Sequence, residues 1–345
     1  MSARIGPRGS RRARHVDFAR TRDDELMTST APAAPSTRRD GTLLWLAVGV
    51  TVTLWASAFV GIRAAGDDFA PGPLTLGRVV IGALALTAVR FALIAGRRRS
   101  RRSELSERTE SAGRLPRGRV LLLVLLWGVA WFGVYNLALN AAERHVDAGT
   151  AALLVNTAPM ITAVLAGLLL GEGFPARLIG GMLVALAGVA VIAFSTSTGR
   201  FDVVGVVLAL AAALVYGSAA VLQKRLLRHV DAPTITWIGC LAGAIACLPF
   251  APQLVAELQA APASSILAVV YLGVFPTAIA FTTWGYVLSR STAGRTAAST
   301  YAVPAVVVLL SWLLLDETPP AAALIGGAVA LGGVAVATLR RRPVA

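Results

Sequence analysis

Acidic residues are scarce in this chain and missing from the middle of every long apolar run. The 345 residues include 18 Asp and Glu, all in tails, connections or the ends of such runs. The three His (His15, His145 and His229) are placed likewise. An intramembrane protease or lipid-modifying transferase needs a nucleophile with its base, metal ligands or paired acids at membrane depth. The sequence offers none of these there. The same shortage speaks against a proton relay through a midplane carboxylate. Lysine is almost absent, with Lys224 alone against 31 Arg. The two cysteines, Cys240 and Cys247, lie seven apart in one apolar run and fit no metal-ligand spacing. They read as small buried hydrophobes, and no metal or cofactor is expected.

Charge of either sign is also short. Only 14% of residues are charged, against about 25% in ordinary soluble domains. A soluble fold of this size could bury a core but would still need a charged surface. With 56% hydrophobic residues and a mean hydropathy of +0.70, lipid is the solvent that resolves the conflict. The net charge of +14 would suggest nucleic acid in a soluble protein. Here the arginines sit in tails and short connections, so the expected partner is the bilayer and not nucleic acid.

What the chain does have is a series of apolar runs about 20 residues long, each able to cross a hydrocarbon core of ~30 Å. Spans are expected near 43–64, 73–95, 119–142, 149–170, 176–195, 203–223, 233–254, 264–288, 295–315 and 320–339. Connections are short apart from 96–118, so neighbouring spans should be antiparallel. Residues 1–41 are polar and Arg-rich and read as a disordered cytoplasmic tail. Met27 offers a shorter start within it.

Basic residues set orientation. With a cytoplasmic N-terminus, 27 of the 32 Lys and Arg fall on the cytoplasmic side. Arg144 and Arg200 alone fall on the other, and Arg63, Arg78 and Arg90 lie within spans. Both termini are therefore expected in the cytoplasm. The cluster Arg97–Arg99 with Arg101 and Arg102 is read mainly as a topology signal.

The chain repeats itself. Slid by 145 residues, Gly149 meets Gly294, Pro159 meets Pro304, Glu172 meets Glu317, Pro175 meets Pro320, Gly181 meets Gly326 and Gly188 meets Gly333. A second register, offset by 161, aligns Trp55–Val60 with Tyr216–Val221 and sets Arg63 against Lys224. Five spans per copy is an odd number, so the second copy should enter the membrane from the opposite side. Such inverted repeats place a binding site near the midplane, where the copies meet, and open it alternately to each side.

The run Leu54–Phe59 (LWASAF), Arg78, and Ala148–Pro159 (AGTAALLVNTAP) closing on Leu170-Gly171-Glu172 resemble one EamA repeat. Tyr216–Val221 (YGSAAV) and Gly294–Pro304 (GRTAASTYAVP), closing on Leu315-Asp316-Glu317, resemble a second. Ala56 stands where that family often has Gly. The resemblance covers about 42–340. It implies the drug/metabolite transporter superfamily, with an all-α fold of ten transmembrane helices in two inverted five-helix repeats, here 42–196 and 203–340. It also implies a bacterial inner membrane location.

Arg78 lies about 7.5 Å into the second span by helical rise. It could meet a substrate carboxylate or form a structural pair with Asp67, Asp68 or a helix-end carbonyl. Neutral polar and aromatic groups at mid-span depth are the other candidates: Trp55 and Ser57, Tyr135 and Asn136, Asn156, Tyr216 and Ser218, Thr282 and Trp284, Thr300 and Tyr301. Such groups suit a mostly apolar site with a few orienting contacts. They equally suit hydrogen bonds between helices. Pro159 and Pro304, matched mid-span prolines, could kink helices that gate the site. The small residues Gly181, Ala185, Gly188, Gly326, Ala330 and Gly333 are expected at close helix packing or at a homodimer surface. The functional expectation is a carrier exporting a small metabolite or amino acid-like compound by alternating access. An intramembrane enzyme and a channel or receptor-like scaffold are the rivals.

Overall fold

The computed structural model describes residues 2, 38–100, 115–146, 148–196, 202–315 and 320–339. The chain divides into two units, Met1–Thr42 and Leu43–Ala345. Of the first, little beyond the opening of the first helix is described, and the account below concerns the second. Most of the expected tail, and the acidic residues Asp147 and Glu317, lie outside the described residues.

Every regular element described is helical. The first helix is α1 (Arg38–Ala65), followed by α2 (Pro71–Ser100). Then come α3 (Gly118–His145), α4 (Ala148–Val155), α5 (Ala158–Leu169), α6 (Ala176–Thr196) and α7 (Val203–Leu226). The rest are α8 (Ala232–Ala246), α9 (Ala251–Ala260), α10 (Ala263–Arg290), α11 (Ala293–Ser299), α12 (Ala302–Leu315) and α13 (Ala321–Thr338). Eight segments are long and apolar enough to cross a membrane, and the bent pair formed by α8 with Leu248–Ala260 makes a ninth. Large apolar side chains stand on the outer surface, Phe194 and Leu313 among them at 76% and 73% exposure. In water that surface would be untenable, and in lipid it costs nothing.

Three expected spans are not straight helices. The span near 149–170 breaks at Asn156–Thr157, leaving α4 and α5. The span near 295–315 breaks at Thr300–Tyr301, the same place in the second repeat to within a residue. The span near 233–254 bends by 50° beyond Ala246 and runs on to Ala260. Pro159 and Pro304 therefore do not kink continuous helices. Each sits in the first turn of a new helix, where proline lacks an N–H that would have no partner anyway.

The duplication is written into the backbone. α3 widens to a π-helical turn at Val129–Tyr135, and α10 does so at Gly273–Ile279. Start and end are both 144 residues apart (129 against 273, 135 against 279). A π turn leaves a carbonyl without its usual partner, and a side chain covers it in each case. Asn136 Nδ2 donates to the carbonyls of Trp131 (3.0 Å) and Phe132 (3.2 Å). Thr277 Oγ1 donates to Leu272 O (2.8 Å).

The glycine stripes pack against each other inside one chain. A methyl group at Gly181 would come within 2.7 Å of Gly333 O, and one at Gly188 within 2.4 Å of Ala330 N. α6 and α13 thus touch backbone to backbone. That explains why small residues recur every three or four positions on both. Of the two expectations for the stripe, helix packing is the one realised, and its surface is already covered.

Candidate functional site

A cavity of about 100 Å³ lies between α1, α2, α3, α4, α7 and α10. A single water needs roughly 10–15 Å³, so a small molecule fits. Trp55, Trp131, Tyr135, Tyr216 and Phe281 form its aromatic wall. The rings lock edge to face: Trp55 meets Phe281 at 5.3 Å and Trp131 meets Phe281 at 5.5 Å between centroids. Trp131 and Tyr216 are 5.2 Å apart. Such contacts add about 0.5–1.5 kcal/mol each beyond area burial, which holds the wall in place without a ligand.

Polar groups enter this wall at a few points. Arg78, only 6% exposed, lines the cavity from α2. Its Nε donates to Thr277 Oγ1 at 3.3 Å. The Thr277 proton is spent on Leu272 O, so the hydroxyl oxygen is free to accept. Close approach of α2 and α10 makes the contact: a methyl at Gly273 would lie 2.8 Å from Arg78 O, and one at Gly82 2.8 Å from Thr277 Cγ2. Among the described residues, no carboxylate pairs with Arg78. The expected structural pair with Asp67 or Asp68 is not formed, since the Asp68 carboxylate accepts instead from Ser265 Oγ.

Asn136 also faces the cavity. Its NH₂ is used on the π turn, which leaves the side-chain carbonyl as its contribution. Tyr216 Oη donates to Thr300 Oγ1 at 3.4 Å. That bond joins α7 to the break between α11 and α12. Asn156 and Pro159 complete the list of expected residues that the fold brings together. Among the described residues, no Asp, Glu or His lines this cavity.

The remaining candidates are placed elsewhere. Ser57 gives its proton to Leu54 O (2.9 Å) and accepts from the Tyr271 hydroxyl (2.6 Å), on a different face of α1 from Trp55. Ser218, two residues from Tyr216, is exposed on the opposite side of α7. Thr282 bonds back to Ala278 O within its own helix. Trp284 stands one layer behind the wall, 5.1 Å from Trp55, with its indole N–H on Gln223 Oε1. Tyr301 is fully buried in a separate cluster with Met182 and Ala185. Pro304 follows the break without touching the cavity. Phe281, Phe59, Leu139, Val155 and Val303 line it unannounced, because an apolar residue in an apolar helix carries no mark of which way it faces.

At one end the cavity adjoins a second, larger chamber that shares Phe59 and Ile62 with it. At the other end charged side chains cap helix termini. Glu172 accepts from the backbone N–H groups of Ala293 and Gly294. Lys224 donates to Leu288 O and Ser291 O, and Arg225 to Leu169 O.

Apolar helices that can span a bilayer, in two copies and around an aromatic cavity, define a multi-pass membrane protein. The EamA-like transporter family model matches residues 42–194 and again 203–339. The chain belongs to that family. It is 36% identical over 291 residues, 84% of this chain and 91% of the relative, to a probable terminal-alkyne amino-acid exporter of Streptantibioticus cattleyicolor. It is 32% identical to the transporter YdfC of Bacillus subtilis, covering 88% of this chain and 93% of that one. A probable amino-acid metabolite efflux pump of Escherichia coli is 24% identical over 86% of this chain and 94% of its own length. A solved crystal structure superposes with a TM-score of 0.66 at 25% identity, over 86% of this chain and 96% of that one.

Proposed function

We propose that this protein exports a small amino acid-like compound by alternating access, holding the substrate carboxylate on Arg78. The observation that carries this reading is a buried guanidinium that makes no ion pair among the described residues, set in the wall of an aromatic cavity. Arg presents five N–H donors in a planar fork, and one of them is taken by Thr277. A charge in the membrane without an ion-pair partner is costly, by ~2.5–3.5 kcal/mol even on the mild insertion scale. A bound carboxylate supplies the missing partner, and the bidentate fit supplies specificity. Asn136 offers an acceptor for the substrate's ammonium, and the aromatic wall takes an apolar side chain. The names of the relatives, amino-acid exporters and efflux pumps, agree with that chemistry.

In this reading each repeat, 42–196 and 203–340, forms half of the carrier, and the site lies where they meet. The Arg bias of the connections supports a bacterial inner membrane location with both termini cytoplasmic. That orientation makes the larger chamber the outer one and the capped end the cytoplasmic one. The lack of acids in the cavity wall favours facilitated export or exchange over a carboxylate relay.

The test is flux into liposomes with the purified protein. Saturable uptake of an amino acid, stimulated by the same compound inside, is expected of a carrier; linear flux without counterflow would mean a channel. Arg78→Gln should raise the half-saturation concentration for an amino acid at least tenfold and leave its neutral amide analogue nearly unchanged. Equal losses for both would overturn the carboxylate assignment.

A further inference from the structure

The second chamber, about 350 Å³, is lined by Phe59, Ile62, Asp67, Asn140, Glu143 and Arg144, among others. Asn140 is 5% exposed, and among the described residues its side-chain oxygen has no hydrogen-bond partner. Its orientation is not arbitrary. Thr75 Oγ1 gives its only proton to Pro71 O at 2.7 Å, so towards Asn140 it can only accept. Asn140 must therefore present its NH₂ to Thr75 Oγ1 (2.9 Å), with Pro71 O at 3.5 Å. The carbonyl oxygen is turned the other way, buried and without a donor. Such an atom costs about 1–3 kcal/mol if nothing ever meets it. Asp67 adds an exposed carboxylate to the same chamber, and two acids against one Arg give the lining a net negative charge.

We propose that this chamber is a second binding station, specific for a primary ammonium group, with Asn140 Oδ1 and Asp67 as its acceptors. An ammonium brings three donors and a positive charge, which is what an orphan carbonyl and a nearby carboxylate lack. The central cavity has the complementary character, a cation, Arg78, in its wall with no carboxylate among the lining residues described. Phe59 and Ile62 belong to both linings, so a zwitterion leaving Arg78 can meet an ammonium site before it meets open water. The specificity for an ammonium group stands on its own; the place of the station on an export route rests on the proposed function above.

The test uses full-length protein in phosphatidylcholine nanodiscs, with empty nanodiscs as control, and ligand-observed NMR binding curves. The probes are n-propylamine, which has no carboxylate, and L-norvaline. Propylamine should bind wild type and Arg78→Gln alike. Asp67→Asn should weaken it about fivefold. Asn140→Asp, which puts a charge where the orphan oxygen stands, should tighten it several-fold. Asp67 is exposed, so its variant leaves folding intact, and unfolding midpoints check the other. Propylamine that fails to bind, or binds equally to wild type, Asp67→Asn and Asn140→Asp, would overturn the station. Norvaline binding that ignores Arg78→Gln would instead overturn the central carboxylate site, so the two failures are separate.

Discussion

The carboxylate of Glu172 grips the start of α11, its two oxygens 2.7 and 3.1 Å from the backbone nitrogens of Ala293 and Gly294. Glu172 belongs to the first repeat and α11 to the second. Gly171 and Gly173 flank it with φ of +70° and +68°, a left-handed backbone that only glycine adopts without strain. Thr292 Oγ1 takes the next donor, Arg295 N, at 3.3 Å. The orphan N–H groups of a helix start are thus shared between a neighbour and a side chain from the other half of the protein.

Removing this grip should loosen the end of the molecule opposite the larger chamber. Glu172→Ala is expected to cost about 0.5–2 kcal/mol, as for other helix caps, read as a lower unfolding midpoint. A cysteine placed by Ser299→Cys in a background without Cys240 and Cys247 should become several-fold more reactive to a thiol reagent applied from that side. Unchanged reactivity would show that the contact does not hold this end shut.

Thr277 should matter through Arg78. Thr277→Val keeps the shape but removes the acceptor for Arg78 Nε and uncovers Leu272 O. An unmet buried group of this kind costs about 1–3 kcal/mol. The half-saturation concentration of a carboxylate substrate should rise five- to fiftyfold in liposome flux, with maximal flux less affected. Arg78→Lys should not rescue binding, because a lysine ammonium cannot bond Thr277 and also present a planar fork.

Asn136 is expected to act twice. Asn136→Leu strips the cover from two carbonyls in the π turn and deletes the acceptor facing the cavity. Stability and affinity should both fall. Asn136→Asp would restore an acceptor but no donor, so affinity for an amino acid should recover while the unfolding midpoint stays low. Recovery of both together would mean that the π turn does not need the amide.

The α6–α13 contact separates packing from position. Gly181→Val and Gly188→Val should each destabilise by at least 1–3 kcal/mol, since the neighbouring backbone leaves no room and overpacking is not relieved. Gly180 and Gly332 have nothing within 4 Å of where a methyl would stand. Gly180→Ala and Gly332→Ala should therefore not lower the unfolding midpoint, and the better helix propensity of alanine should raise it slightly. The effect at Gly181 should not depend on protein concentration, because the partner surface is in the same chain.

Much of the architecture was legible in the residues. Long apolar runs, broken by arginine-bearing connections, mark their own positions, since a bilayer tolerates little else. The 145-residue register links Pro159 to Pro304 and Glu172 to Glu317, and that linear pattern needs no coordinates. Arg78 stood out because a charge among apolar residues has to be explained. The breaks at Asn156–Thr157 and Thr300–Tyr301, the π turns and the bend after Ala246 were not legible. They are backbone states that several sequences of equal hydropathy could adopt.

Trp55 and Ser57 show where the division falls. Both are polar-edged residues at the same depth of one helix, and by sequence they rank alike. Hydropathy determined that α1 crosses the membrane, because the hydrophobic effect acts on composition and length. Which face of α1 meets the cavity was decided by packing. A helix that is apolar all round carries no stripe to separate neighbour from lipid, so only the touching of Trp55 with Tyr216, Phe281 and Trp284 turns it inward and leaves Ser57 to Tyr271.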